Sequence, residues 1–306
     1  MRRSVFGLIA LQLALPSFSA QDKISRPRIT GIHHVRIYVT DTTKSRAFYK
    51  DILGLPEEKY RCSDKAHSCF GVSWGPDGQH LELEQVLSPA PDDWLAEIAF
   101  QTDSVSQMRS FLLAHGVTTG TISQDAHGVE HLGLLDPEGH LISFVGPARP
   151  MKVDFLGGLP DPVGMRIIHA GFVVKDRVAM DHFYKDVLGF RPYWHGGFKD
   201  AETDWVELQV PDGDNWIEYM LNISPSADKK ELGIQNHFSL GVRDIHAAEA
   251  KIKANGVASY DGPEVGRDGK WSLDLYDPDG TRVELMEFSP VQKPCCSEYT
   301  GSHPKP

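Results

Sequence analysis

The sequence predicts an α+β protein of two similar domains, and three observations carry that prediction. The stretch "AFYKDILGL" at 47–55 returns as "HFYKDVLGF" at 182–190, each behind a strand-like run that begins with His: "HVRIYV" at 34–39 and "HAGFVV" at 169–174. In both copies the Gly follows the His by 20 positions, His34 to Gly54 and His169 to Gly189. A second kind of unit, "EIAFQT" to "LLAHGV" and "HFSLGV" to "IKANGV", follows each copy, and "LLDPEGHLISFV" at 134–145 matches "LYDPDGTRVELMEF" at 275–288. The order is A, B, A, B, which is the signature of a unit pair duplicated once.

Within a unit the elements follow from local chemistry. The opening run is rich in β-branched and aromatic residues and reads as a strand. Asp176 is a helix N-cap. Ala179, Phe183 and Val187 recur every four residues as one apolar helical face, and Gly189 ends the helix. Short strand candidates follow at 204–210 ("DWVELQV") and 216–221 ("WIEYML"), and in the last unit at 270–277 and 281–288. "PDG" at 211–213 and "DPDG" at 277–280 supply turn chemistry. Each unit is therefore a strand, a helix and about three strands, one helix against one small curved sheet, which gives the α+β class.

The Gly- and Pro-rich stretch "GPARPMKVDFLGGLPDP" at 146–162 separates the halves. The domains are 29–148 and 164–289, with 149–163 as linker and 290–306 as a Pro- and Cys-containing tail. At the other end, "MRRSVFGLIALQLALPSFSAQDK" has Arg2 and Arg3, an apolar run from Phe6 to Leu15 too short to span a bilayer, Pro16, and small residues. Residues 1–20 read as a secretory signal peptide, cleaved after Ser19 or Ala20. The mature chain is expected in the periplasm or outside the cell, with no membrane span.

Export permits disulfides. Cys62 and Cys69 flank "SDKAHS" and suit a disulfide or, with His67, a metal clip; Cys295 and Cys296 are adjacent and remain open among a mutual bond, other pairing and metal. The formal net charge of -11, with no basic stripe, gives no support to nucleic-acid binding.

The site candidates come from spacing. Glu82 follows His34 by 48 positions, Glu218 follows His169 by 49, and Glu284 follows His237 by 47; in the remaining unit Glu97 leads to Ser143. Three units thus pair a first-strand His with a last-strand Glu. A carboxylate in the middle of a short apolar strand is costly unless it is exposed, paired or bound to a cation. Alternation puts Trp216, Glu218 and Met220 on one face. Two neutral imidazoles and two carboxylates on a shared inward face suit a divalent cation: Fe(II) for two His and one carboxylate, or Zn, Mn, Co, Ni or Fe for the full set.

With "GIHHVRIYVTD", "FYKDILGL", "IIHAGFVVKD", "FYKDVLGF" and the "DPEG" and "DPDGTRVEL" endings in hand, the chain resembles the vicinal oxygen chelate superfamily of glyoxalases, bleomycin-resistance proteins and extradiol dioxygenases, over about residues 30–288. The resemblance implies four βαβββ modules paired into two glyoxalase-like domains, each a U-shaped cup with a metal on its floor. It puts metal ligands at His169, Glu218, His237 and Glu284. In the extradiol branch the N-terminal pair loses its metal and the C-terminal pair keeps three ligands, here His169, His237 and Glu284. This chain departs from that branch in having Glu218, as four-ligand glyoxalase sites do, and in lacking a well-placed His and Tyr before the last strand. Tyr276 stands directly before "DPDG", and Gly266-Arg267-Asp268-Gly269 reads as a lip over the cup or a plain surface turn.

The functional expectation is an exported metal-dependent enzyme acting on a small molecule with vicinal oxygens, dioxygenase-like or isomerase/lyase-like, with Glu284 as the base. Glyoxalase activity itself fits export poorly, since its thiol cosubstrate is cytosolic. The alternatives are a sequestering protein of bleomycin-resistance type without turnover, and an interaction protein tethered by its tail. The first-domain set, His34, Glu82, Glu97 and Ser143, reads as structural or vestigial. His33 is expected to face outward and His182 to face solvent, while Trp194 and Trp205 fit either the cup or the core.

Overall fold

The computed structural model describes residues 24–58, 69–73, 79–86, 91–125, 128–147 and 161–306. Residues 1–20, Cys62, His67 and most of the linker lie outside them. Each half of the chain forms one curled, mixed 8-stranded sheet. The first runs β2 (Glu57–Glu58), β3 (Cys69–Ser73), β4 (His80–Gln85), β1 (Ile29–Val39), β5 (Leu95–Thr102), β8 (Leu141–Val145), β7 (Glu130–Leu135), β6 (Ser123–Gln124), and the second β10 (Arg191–Gly196), β11 (Trp205–Gln209), β12 (Trp216–Met220), β9 (Ile167–Val173), β13 (His237–Val242), β16 (Arg282–Glu287), β15 (Trp271–Tyr276), β14 (Asp261–Val265). In the first sheet, β1 (Ile29–Val39) and β5 (Leu95–Thr102) are antiparallel neighbours at the centre. In the second, β9 (Ile167–Val173) and β13 (His237–Val242) play the same part.

Each module's last strand returns to lie parallel to its first. β4 (His80–Gln85) pairs with β1, β8 (Leu141–Val145) with β5, β12 (Trp216–Met220) with β9, and β16 (Arg282–Glu287) with β13. A parallel return requires a crossover, which the module's single helix and its edge strands supply. This is the α+β arrangement of four βαβββ modules in two domains.

The cap expected at Asp176 is present, and Asp41 repeats it in the first domain. Asp41 accepts from the N–H groups of Thr43 and Lys44 ahead of the helix Thr42–Arg46, and Asp176 accepts from the Ala179 N–H ahead of the helix Arg177–Asp181. Both helices then widen into π-helical turns, Ala47–Ile52 and His182–Val187, closing with bonds such as Leu188 N–H to Phe183 O at 3.0 Å. The wider turn rotates the apolar face. Met180, Phe183, Tyr184 and Leu188 are buried, while Ala179 and Val187, expected at its centre, are half-buried at its margins. Gly54 and Gly189 end these helices at φ of 72° and 80°, a backbone that favours glycine.

The repeated motifs meet each other across the domains. Tyr49 Oη donates to Asp277 Oδ2 at 2.9 Å, and Tyr184 Oη donates to Asp136 Oδ2 at 3.3 Å. The Thr40 N–H donates to Asp279 Oδ2 at 2.9 Å, and the N–H groups of Lys175 and Asp176 donate to Glu138 Oε1 at 2.8 and 2.6 Å. The "FYKD" unit of each half therefore clasps the "DPEG" or "DPDG" turn of the other. One apolar core runs through both sheets.

Candidate metal centre

The second sheet brings four of the spaced residues together. His169 on β9 pairs in register with Trp216, and Gly171 with Glu218 on β12, so Glu218 is one diagonal step from His169 on the same face. Across β13, Gly171 faces His237 and His169 faces Ser239, while Ser239 faces Glu284 on β16. His169 Nε2 lies 3.1 Å from His237 Nε2, 3.1 Å from Glu284 Oε2 and 3.9 Å from Glu218 Oε2. His237 Nε2 lies 3.4 Å from Glu218 Oε2. An ion with bonds of about 2.1 Å separates neighbouring ligand atoms by about 3.0 to 3.4 Å, so this spacing fits one cation between them.

Further features suit a cation. Burial holds the His169 imidazole down to about 3, and burial with the Arg282 guanidinium beside it holds His237 well below the usual range, so both rings are neutral. His237 Nδ1 lies 2.8 Å from the Gln235 carbonyl; as donor there it leaves a lone pair on Nε2, the tautomer a metal ligand needs. Burial pushes the Glu218 and Glu284 carboxyls up, the cost a divalent ion would offset. Gly171 completes the cradle, since a Cβ there would overlap the His237 ring.

Several residues around this cluster had no repeat or spacing to reveal them. Arg282 Nη2 stands 2.9 Å from His237 Nε2, and its Nη1 stands 3.4 Å from Asp274 Oδ2. Trp216 packs on the His169 ring at 4.7 Å between centroids. The Lys270 ammonium, fully buried, sits 4.2 Å from the Trp216 ring, 5.2 Å from Tyr193 and 5.0 Å from Tyr299. It has no hydrogen-bond partner, and Asp268 Oδ2 is 3.6 Å away. Trp216 was placed on the right face by alternation; Lys270 carried no sequence signal, because a Lys beside a turn reads as solvent-exposed.

The tail supplies the roof of that box. Thr300 N–H donates to Tyr193 O, Gln209 Nε2 to Ser302 O, Trp194 Nε1 to Cys295 O, and Tyr299 Oη to Asp268 Oδ2. The expected tether is thus packed along its own domain. Gly266-Arg267-Asp268-Gly269 is a turn pinned by that tail, through Cys295 N–H to Arg267 O and Val291 N–H to Gly269 O. Trp194 is buried under the tail and Trp205 packs at a tilt against Phe198, so among the described residues Trp216 is the tryptophan beside the cluster. Cys295 and Cys296 bond to each other. Cys69 is also disulfide-bonded, and its expected partner Cys62 lies outside the described residues. His182 is exposed and pairs with Asp186.

The first cup is built differently at the same positions. Arg36 stands opposite Glu97 and beside Glu82, where the second cup has Gly171 opposite His237 and beside Glu218. Its guanidinium bridges the two carboxylates, Nε to Glu82 Oε2 at 2.8 Å and Nη2 to Glu97 Oε2 at 2.9 Å, and Ser143 Oγ also donates to Glu97. A side-chain cation thus occupies the place between the carboxylates. Burial alone would raise Glu82, but His34, His80 and Arg36 outweigh it and hold the carboxyl well below its usual range.

His33 does not face outward. The β1–β5 register slips between Ile32 and His34, and this bulge turns His33 to the side of its neighbour. His33 is 8% exposed, with Nδ1 2.9 Å from His34 Nδ1. Strict alternation predicts the opposite face, and a bulge is the local failure of alternation.

A model of the Glyoxalase/Bleomycin resistance protein/Dioxygenase superfamily matches residues 31–144 and 166–285. The chain belongs to this superfamily. Lactoylglutathione lyase from Haemophilus influenzae is 31% identical over 126 residues, 40% of this chain and 93% of that protein. A probable chloroplastic lactoylglutathione lyase from Arabidopsis thaliana is 27% identical over 135 residues, 43% of this chain and 38% of that protein. Among solved structures, a variant of homoprotocatechuate 2,3-dioxygenase from B. fuscum superposes with a TM-score of 0.66 at 22% identity, covering 90% of this chain and 74% of that one. The 2,3-dioxygenase LapB from Pseudomonas sp. KL28 superposes with a TM-score of 0.66 at 18% identity, covering 92% and 96%. These superpositions speak for the fold, and they span both glyoxalase-type domains of this chain.

Proposed function

We propose that the protein is an exported, divalent-metal-dependent enzyme acting on a small molecule with vicinal oxygens, by dioxygenase-like or isomerase/lyase-like chemistry. The observation that carries this reading is the convergence of His169, Glu218, His237 and Glu284 over a glycine that leaves them room. When bound, such an ion supplies Lewis-acid polarisation of two neighbouring substrate oxygens, and access to O2 if it is iron. The chain supplies the rest. Glu284 is our choice for the proton acceptor, since burial raises its carboxyl above the usual carboxylate value and so makes it more basic. Lys270, buried against Trp216, Tyr193 and Tyr299 with Asp268 3.6 Å away, brings an ammonium that makes no hydrogen bond and could turn to a substrate oxygen. Export is supported by the N-terminal segment of the sequence and by cysteine usage, no cysteine among the described residues being free.

One observation favours a second reading, binding without turnover. Arg282 Nη2 stands 2.9 Å from both ring nitrogens of His237, a side-chain cation against the ring a metal would use, and in the first cup Arg36 already stands in for a cation.

The test is elemental analysis of the mature protein prepared anaerobically, beside His169→Ala and His237→Ala. The enzyme reading expects each substitution to remove one equivalent of metal. Catechols and vicinal diols tested with Fe(II) then separate oxygenase from other chemistry. Absence of metal from these residues after reconstitution would overturn the enzyme reading and leave the Arg282-held binding site.

A further inference from the structure

We propose that the first cup carries a metal site of its own, formed by the imidazoles of His33, His34 and His80 and displaced from the position that Arg36 fills. The three residues offer ring nitrogens that all lie within 4.8 Å of one another. His34 and His80 are register partners on β1 and β4, with rings stacked at 4.9 Å. His33 joins them only through the bulge in β1, its ring 5.2 Å from His34 and 5.1 Å from His80. His131 stands next to this group, 6.4 Å from His34 between ring centroids, as a fourth candidate.

Three observations point to a bound cation rather than to packing alone. First, the nitrogens are poorly served without one. Among the described residues, His34 Nε2 and His131 Nε2 are buried with no hydrogen-bond partner, while His33 Nδ1 and His34 Nδ1 hydrogen-bond only to each other's ring at 2.9 Å. Buried polar atoms in folded proteins are almost always satisfied. Secondly, the charge balance suits a cation. The guanidinium of Arg36 is bonded to the carboxylates of both Glu82 and Glu97, and Glu82 Oε1 also holds His80 Nε2 at 3.2 Å, the kind of carboxylate support that orients ligating imidazoles. Thirdly, the cluster can be reached, since the His80 and His131 side chains are 17% and 25% exposed. A set made of imidazole nitrogens selects Zn(II), Cu(II) or Ni(II) over Mg(II) or Ca(II).

The site is separate from the second cup, so its test begins by silencing that cup. The full mature chain carrying His169→Ala and His237→Ala, stripped of metal, is titrated with Zn(II) by calorimetry and with Co(II) by visible absorption. The expected result is one equivalent bound at micromolar concentration or tighter, with a Co(II) d–d spectrum, and loss of both on adding His33→Asn and His80→Asn. A folded chain that binds neither ion, or that binds them equally well without His33 and His80, overturns the proposal. Should the second-cup substitutions prevent folding, the wild-type chain is titrated beside His33→Asn/His80→Asn alone. The proposal then expects the number of bound ions to fall by one, and an unchanged number overturns it. The enzyme reading stands or falls separately, on the equivalent lost with His169 or His237.

Discussion

Gly171 faces His237 across the central strand pair of the second sheet, and the imidazole occupies the volume that any side chain at 171 would need. We expect Gly171→Ala to push His237 out of line and to weaken metal binding at the second cup by at least about 10–100-fold, the usual effect of disturbing a ligand's support. Overpacking should cost about 1–3 kcal/mol of stability. Metal titration and urea unfolding check the two effects, and unaltered metal affinity would count against the proposed ligand set.

Arg36 holds two buried carboxylates at once. Replacing it with Met removes the partner and leaves both charges in the sheet. We expect a loss of about 3–5 kcal/mol at neutral pH. Adding Glu97→Gln should recover part of it, because one of the stranded charges is then gone. A double-mutant cycle in urea measures the recovery; strict additivity would contradict the bridge.

Asp277 accepts from Tyr49 across the domains, and burial raises its carboxyl to about 6. A carboxyl raised in the folded state favours folding at low pH, below its unfolded value, and that contribution disappears as pH rises through about 6. The stability of the wild type relative to Asp277→Asn should therefore fall between about pH 4 and 7, by about 3 kcal/mol at most. Melting temperatures of both proteins across this range provide the check. A difference that does not change with pH would remove the assignment.

The tail covers Trp194 and the Lys270 box. Ending the chain at Phe288 should red-shift tryptophan emission and lower the melting temperature. Near-identical spectra and melting would show that the tail does not stabilise the box.

The fold was readable because duplication writes the same pattern twice. "FYKDILGL" and "FYKDVLGF" located the module helices, and the His-to-Glu spacings located the strands that the sheets place side by side. Local irregularities were not readable in the same way. The π-helical turn at His182–Val187 carried the buried position from Val187 to Leu188, and the bulge in β1 reversed His33. Periodicity averages over such single-residue shifts, so it loses them.

The sequence by itself determined the two-domain plan, the helix cap at Asp176, and the pairing of His169, Glu218, His237 and Glu284 as candidates, since all of these rest on local chemistry and repetition. Tertiary structure alone decided which partners those residues meet. It set Tyr49 against Asp277, Arg36 between Glu82 and Glu97, and Lys270 under a tail about 30 residues further along the chain. Such contacts are fixed by how sheets curl and domains dock, through distances that no spacing in the chain records.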